Sequence, residues 1–170
     1  MNYFELFGLP TQFVLDSEQL SRTYRQLQKK FHPDNFATAS ERDKRMAVDQ
    51  AATINDAYFV LRANLSRAIY LLELQGLDIK NEQKTMQDMA FLMTQMELRE
   101  TLESIPQSAD PMSELMALQQ EVAQINHTLS DELRDTLANA LWDEAADAVR
   151  KLQFIAKLEQ QIEQQEDALF

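Results

Sequence analysis

Residues 16–34 read DSEQLSRTYRQLQKKFHPD, and the way this stretch repeats and then stops decides the fold of the first half of the chain. Asp16 is placed to cap a helix N-terminus, with Gln19 at the position that completes a capping box. A helix is expected from Ser17 to about Phe31. At about 100° per residue, Leu20, Tyr24, Leu27 and Phe31 share one stripe. Arg22, Arg25 and Lys29 fall within about 60° of one another on the opposite face. One side of this helix is apolar and the other basic. Pro33 disfavours helical geometry at His32, so the helix should end there.

After a polar loop from Asn35 to Ser40, Ser40 can cap a second long helix. In that helix Ala47, Ala51, Ile54, Tyr58 and Leu61 recur at spacings of four and three, a core-facing seam. Two antiparallel helices joined by a tight loop follow. Upstream, Tyr3, Phe4, Leu6, Phe7 and Leu9 form a short apolar strap closed by Gly8 and Pro10. Downstream, an apolar segment from Leu65 to Gln75 ends at Gly76, the residue expected just past a helix C-terminus.

Composition bounds the rest. The 170 residues include only two glycines and four prolines, too few for a turn-rich β architecture, so the fold class is all-α. The absence of cysteine removes disulfides, thiolate ligands and cysteine nucleophiles. No signal-like opening and no long apolar run occurs, so neither secretion nor a membrane span is expected, and a cytoplasmic location fits. The net charge of −12 makes nucleic acid a poor partner. Residues 1–76 carry nine basic and nine acidic groups, leaving seven basic and nineteen acidic in the remainder. All the excess charge therefore lies in the second part, which points to two parts with different partners.

Residues 77–84 read as a polar connector, after which Thr85, with Asp88 three residues on, can start a helix reaching about Ile105. Pro106 and Asp110-Pro111 mark a turn and a new N-terminus with proline at its first position. Leu115, Leu118, Val122, Ile125 and Leu129 form the next stripe; Ser130 and Asp131 are expected to break it. A last helix should then run to the C-terminus with Trp142, Ala145, Val149, Leu152 and Ala156 inward. The expected architecture is an antiparallel three-helix bundle over residues 85–170.

His32-Pro33-Asp34 alone reads as an ordinary turn, with proline fixing the backbone and aspartate bonding locally. Its setting sets it apart: a basic helix face before it, a helical hairpin around it and the strap at residues 3–9. With Ile54-Asn55-Asp56-Ala57-Tyr58 in the following helix, residues 1–76 resemble a J domain. Asn35 stands where that family commonly has lysine. The second part lacks a Gly/Phe-rich linker and CxxC repeats. Its Ala90-Phe91-Leu92-Met93, Met96-Glu97-Leu98-Arg99-Glu100 and Trp142–Leu158 segments are similar to the HscB-type co-chaperones of iron–sulphur cluster assembly. Nearly the whole chain is covered by that resemblance.

The resemblance implies that Arg22, Arg25, Lys29, His32, Pro33 and Asp34 contact an HscA/DnaK-type chaperone and stimulate its ATP hydrolysis, while the second part binds an IscU-type scaffold protein. The residues argue independently for an interface in the second part. Phe91, Leu98, Leu102 and Ile105 share one side of their helix and should face the core, yet Met89, Leu92, Met93 and Met96 make a second apolar side. A second apolar face on a bundle helix marks a docking surface, and flexible thioethers suit one. Glu97 and Glu100 continue that face, and Phe154, off the last helix's seam, is a candidate exposed aromatic anchor. The scaffold-binding set is thus Leu92, Met93, Met96, Glu97, Glu100 and Phe154.

Catalysis by the chain itself is not expected. His32 with Asp34 lacks an indicated nucleophile or pocket. The Glu-x-x-His pattern of helical di-iron proteins is missing at His127, preceded three residues earlier by Gln124. No metal or other cofactor is implied. An alternative keeps the J domain but makes the acidic bundle an adaptor for a different client protein.

Overall fold

In a computed structural model, which describes residues 1–82 and 88–169, all regular structure among those residues is helical. Helix α1 (Tyr3–Leu6) is one turn of the expected strap, and α2 (Ser17–Lys30) is capped by Asp16, whose carboxylate accepts the N–H groups of Glu18 and Gln19. Helix α3 (Glu41–Arg62) starts at a Ser40 cap, and α4 (Asn64–Leu74) ends before Gly76, which takes a left-handed φ of 86°. Glycine carries no Cβ penalty in that conformation, so it ends the helix at little cost.

These elements form a first compact unit, Met1–Gln75. Ala47, Ile54, Ala57 and Leu61 of α3 are buried, as are Phe4, Phe7, Leu9 and Leu20. The expected seam members Ala51 and Tyr58 are half-buried instead. Tyr58 closes the hairpin: its ring stacks on that of Tyr24 with centroids 3.9 Å apart, and the Tyr24 hydroxyl donates to the Asn55 side chain at 2.6 Å. Arg67, 7% exposed, donates to the carbonyls of Phe13 and Leu61 and to the Asn64 side chain, all within 2.7 Å. It thereby ties the loop before α2 to the α3–α4 corner. Burial of its guanidinium pushes its pKa below the ordinary arginine value.

The second unit, Gly76–Phe170, contains α5 (Met89–Ser104), α6 (Pro111–Ala138) and α7 (Trp142–Leu169). Part of the expected connector is built into it: Ile79 is buried, and Glu82 accepts two hydrogen bonds from Arg150 of α7. Thr85, expected to start α5, lies outside the described residues; Asp88 caps that helix by accepting the Phe91 N–H at 3.0 Å. Gln119 bonds Glu166, and Asn126 bonds Glu159. A step of seven residues up α6 is a step of seven down α7, so the pair is antiparallel.

Two expectations need correction here. The chain does not break at Ser130-Asp131: α6 continues through them to Ala138, with Leu133, Thr136 and Leu137 buried beyond. The Ser130 hydroxyl bonds the Asn126 side chain one turn back, which leaves the backbone ladder intact. The real turn lies at 139–141. Ala156 faces solvent, because the inner side of α7 drifts round to Ile155, Leu158 and Ile162. A straight 3.6-residue helix does not hold a strict seven-residue seam over so many turns.

Candidate functional site

The basic face of α2 is as the helical spacing predicts. Arg22, Arg25 and Lys29 are not buried, and among the described residues none lies within 4.0 Å of a carboxylate. Cations left without partners keep their full field for an acidic surface. Arg22 and Arg25 border a shallow depression with Ser17, Glu18 and Ser21.

The His-Pro-Asp segment forms a rigid corner where α2 ends. Pro33 opens a 3-10 turn (Pro33–Phe36) as its first residue, where its missing N–H costs nothing. His32 Nδ1 accepts the Asp34 N–H at 3.2 Å, and the Asn35 N–H donates to the His32 carbonyl at 2.9 Å. With Nδ1 accepting, Nε2 is the ring nitrogen left to donate, on a side chain that is 58% exposed. The Asp34 carboxylate is 90% exposed. Beneath the corner, the Phe31 and Phe36 rings stack with centroids 6.4 Å apart. The corner therefore offers one donor, one carboxylate and a row of cations on a fixed backbone.

The second candidate face lies on α5. Met89, Met93 and Met96 are 69%, 60% and 62% exposed, and Glu97 and Glu100 are exposed beside them. Leu92 is half-buried at the edge. The opposite side is anchored as expected at Leu98 and Ile105, both buried, whereas Phe91 and Leu102 are half-buried.

Phe154 is not a free aromatic. It is half-buried on α7, edge-on to Phe91 at 88° with centroids 6.0 Å apart, and the Arg99 guanidinium lies 5.4 Å from its ring centre. It belongs to a cluster in which Lys151 reaches both the Phe91 ring, at 5.6 Å, and the Asp88 carboxylate, at 2.8 Å. The hydrogen bond from Lys151, helped by the Phe91 N–H, holds the Asp88 carboxyl below the ordinary aspartate range. Nothing in the sequence marks Arg99, Lys151 and Asp88 as site residues, since a cation–ring contact between two helices leaves no periodic signal.

Among the described residues, no group of three or more histidine, cysteine, aspartate or glutamate side chains could hold a metal ion, and no helix is long and apolar enough to cross a membrane.

Comparison with known proteins matches both units. Residues 2–70 match the family described as DnaJ domain, and residues 87–163 match the HSCB C-terminal oligomerisation domain. The chain is 57% identical over 169 residues, 99% of each sequence, to the co-chaperone protein HscB homolog of Vibrio cholerae serotype O1 (strain M66-2). It is 56% identical over 170 residues, 100% of this chain and 99% of the other, to that of Vibrio vulnificus (strain YJ016). Among solved structures it resembles chaperone HscB from Vibrio cholerae, with 55% identity, a TM-score of 0.88 and full coverage of both chains. It also resembles the human co-chaperone protein HscB, with 28% identity, a TM-score of 0.88, and coverage of 98% of this chain and 82% of that one. With a J domain in the first unit, an HscB helical domain in the second and close relatives along its whole length, the chain belongs to the HscB family of J-domain co-chaperones.

Proposed function

We propose that this co-chaperone captures an IscU-type iron–sulphur scaffold protein on the α5 face of its second unit. It delivers that scaffold to an HscA/DnaK-type chaperone and stimulates the chaperone's ATP hydrolysis. The observation that carries this is the unpaired cationic row of Arg22, Arg25 and Lys29 leading into the exposed His32-Pro33-Asp34 corner. That surface suits docking, and among the described residues no carboxylate of its own unit pairs with the row. Leu92, Met93, Met96, Glu97, Glu100 and Phe154 form the scaffold site in this reading, with an apolar centre and a carboxylate rim. The chain supplies contacts and no bond chemistry, and it acts in the cytoplasm, supporting maturation of iron–sulphur proteins. Two modest contacts suffice, because docking at one unit raises the effective concentration of the client at the chaperone.

The test is steady-state ATP hydrolysis by an HscA/DnaK-type chaperone, with and without this protein and an IscU-type scaffold. Strong stimulation requiring both proteins, and lost in His32→Gln, is expected. Stimulation indifferent to the scaffold removes the client assignment, and none at all from folded protein removes the chaperone assignment. In direct binding, the combined Leu92→Ala, Met93→Ala and Met96→Ala variant should bind scaffold at least roughly tenfold more weakly, a modest demand for three central interface residues.

A further inference from the structure

Three of the eight methionines, Met89, Met93 and Met96, stand on one face of α5 at spacings of four and three, each at least 60% exposed. Methionine is ordinarily an interior residue, so three exposed thioethers side by side are unusual. The chain has no cysteine, which makes thioethers its only sulphur nucleophiles. Nothing on the inner side of α5 depends on the trio: the helix is held by Leu98 and Ile105, and its start by the Asp88–Lys151 pair. The face can therefore change chemically while the bundle stays folded.

We infer that Met89, Met93 and Met96 are a reversible oxidation site, at which a peroxide converts the scaffold-docking face of α5 from apolar to polar and releases the scaffold. The inference rests on the scaffold reading above. In the step, the thioether sulphur attacks one oxygen of hydrogen peroxide. The O–O bond breaks as the S–O bond forms, and the displaced hydroxide takes the proton from the new S–OH group to leave as water. Sulphur loses two electrons and the peroxide gains them. Reversal uses two thiols of a methionine sulfoxide reductase, which become a disulfide as the sulfoxide oxygen departs as water. Each sulfoxide places a strong acceptor in the centre of the face. Burying it against an apolar partner without a donor is unfavourable, so three together oppose docking. Glu97 and Glu100 bring no donor to relieve them, since ionised carboxylates only accept.

The test starts from a variant with Met46, Met86, Met112 and Met116 replaced by leucine, which keeps the trio and the initiator as its only methionines. Scaffold affinity is measured before and after hydrogen peroxide, with sulfoxides located by peptide mass spectrometry and folding checked by urea titration. The expected result is unchanged binding before treatment, a loss of at least tenfold once Met89, Met93 and Met96 are sulfoxides, an unaltered urea midpoint, and recovery with the reductase. For M89L/M93L/M96L the affinity, whatever its starting value, should be the same before and after peroxide. Undiminished binding with all three oxidised overturns the switch and leaves the scaffold reading standing. No binding before treatment overturns the scaffold reading, and the switch with it. Oxidation of the trio no faster than that of half-buried Met112 in the natural protein overturns the site itself.

Discussion

The Asn35 side chain donates a hydrogen bond to the carbonyl of Lys29, so the residue following the His-Pro-Asp corner closes the helix that precedes it. That carbonyl lies in the last turn of α2, where backbone acceptors lose their intrahelical partners. From the sequence, Asn35 registers only as a missing positive charge; in the structure it holds the corner's angle. Asn35→Ala should cost about 1 kcal/mol of first-unit stability, as for one exposed neutral hydrogen bond. It should also speed amide hydrogen exchange at Phe31 and His32 before the rest of α2. Equal exchange in both proteins would show that the proline alone sets the corner.

The Asp88–Lys151 pair gives the second unit a definite pH dependence. Because Lys151 lowers the folded-state pKa of Asp88, the pair contributes stability that is fully present above the ordinary aspartate value, near pH 4. It is lost as pH falls through the depressed folded value. An amide oxygen at position 88 can still accept the Phe91 N–H, so Asp88→Asn removes the charge and keeps the cap. The natural protein should therefore exceed Asp88→Asn in urea midpoint at neutral pH, and the gap should close in strong acid. A gap constant from pH 7 to pH 2 would mean that the charge is idle.

Much of this fold is legible in the sequence because its helix starts are written in side-chain oxygens. Asp16, Ser40 and Asp110 each cap the helix that follows, and Gly76 ends α4 in a left-handed backbone state that favours glycine. Helix α5, by contrast, is capped by Asp88 and not, as the sequence suggests, started at Thr85. The α6–α7 turn is illegible for the complementary reason. It carries no glycine or proline, while Ser130-Asp131 offers a polar pair that resembles a boundary. The outward row of Arg22, Arg25 and Lys29 follows from periodicity alone. The half-buried state of Phe154 does not, since it depends on Phe91 and Arg99 arriving from another helix.

That unsigned turn is itself open to test. The Leu141 N–H bonds the Thr136 carbonyl at 2.9 Å and the Ala140 N–H bonds that of Leu137 at 3.3 Å, with Ala140 at φ 57°. This is the helix-ending motif that glycine usually serves, here with alanine in the left-handed state. A Cβ there costs roughly 1–2 kcal/mol, partly offset by the greater unfolded-state freedom of glycine. Ala140→Gly should therefore stabilise the second unit by about 0.5–1 kcal/mol and raise its Tm by about 2–8 °C. Thermal unfolding followed by circular dichroism decides it; a lower Tm would place the turn elsewhere.

The corner's own chemistry can be separated from its shape with a second substitution at position 32. In His32→Asn the short amide oxygen can take over from Nδ1 as acceptor of the Asp34 N–H, since asparagine readily bonds the backbone two residues on. Its NH2 group sits one bond nearer the backbone than Nε2 and cannot donate from the position that Nε2 occupies. His32→Asn should thus keep the stability within about 0.5 kcal/mol of the natural protein, as for an exposed site. It should nevertheless lose at least tenfold in ATPase stimulation at subsaturating concentration. Reversing the charges of Arg22 and Arg25 should act differently, weakening half-saturation while leaving maximal stimulation closer to natural, and flattening its dependence on salt. If His32→Asn stimulated normally, the imidazole would be only a turn residue, and the docking chemistry would rest on Asp34 and the cationic row.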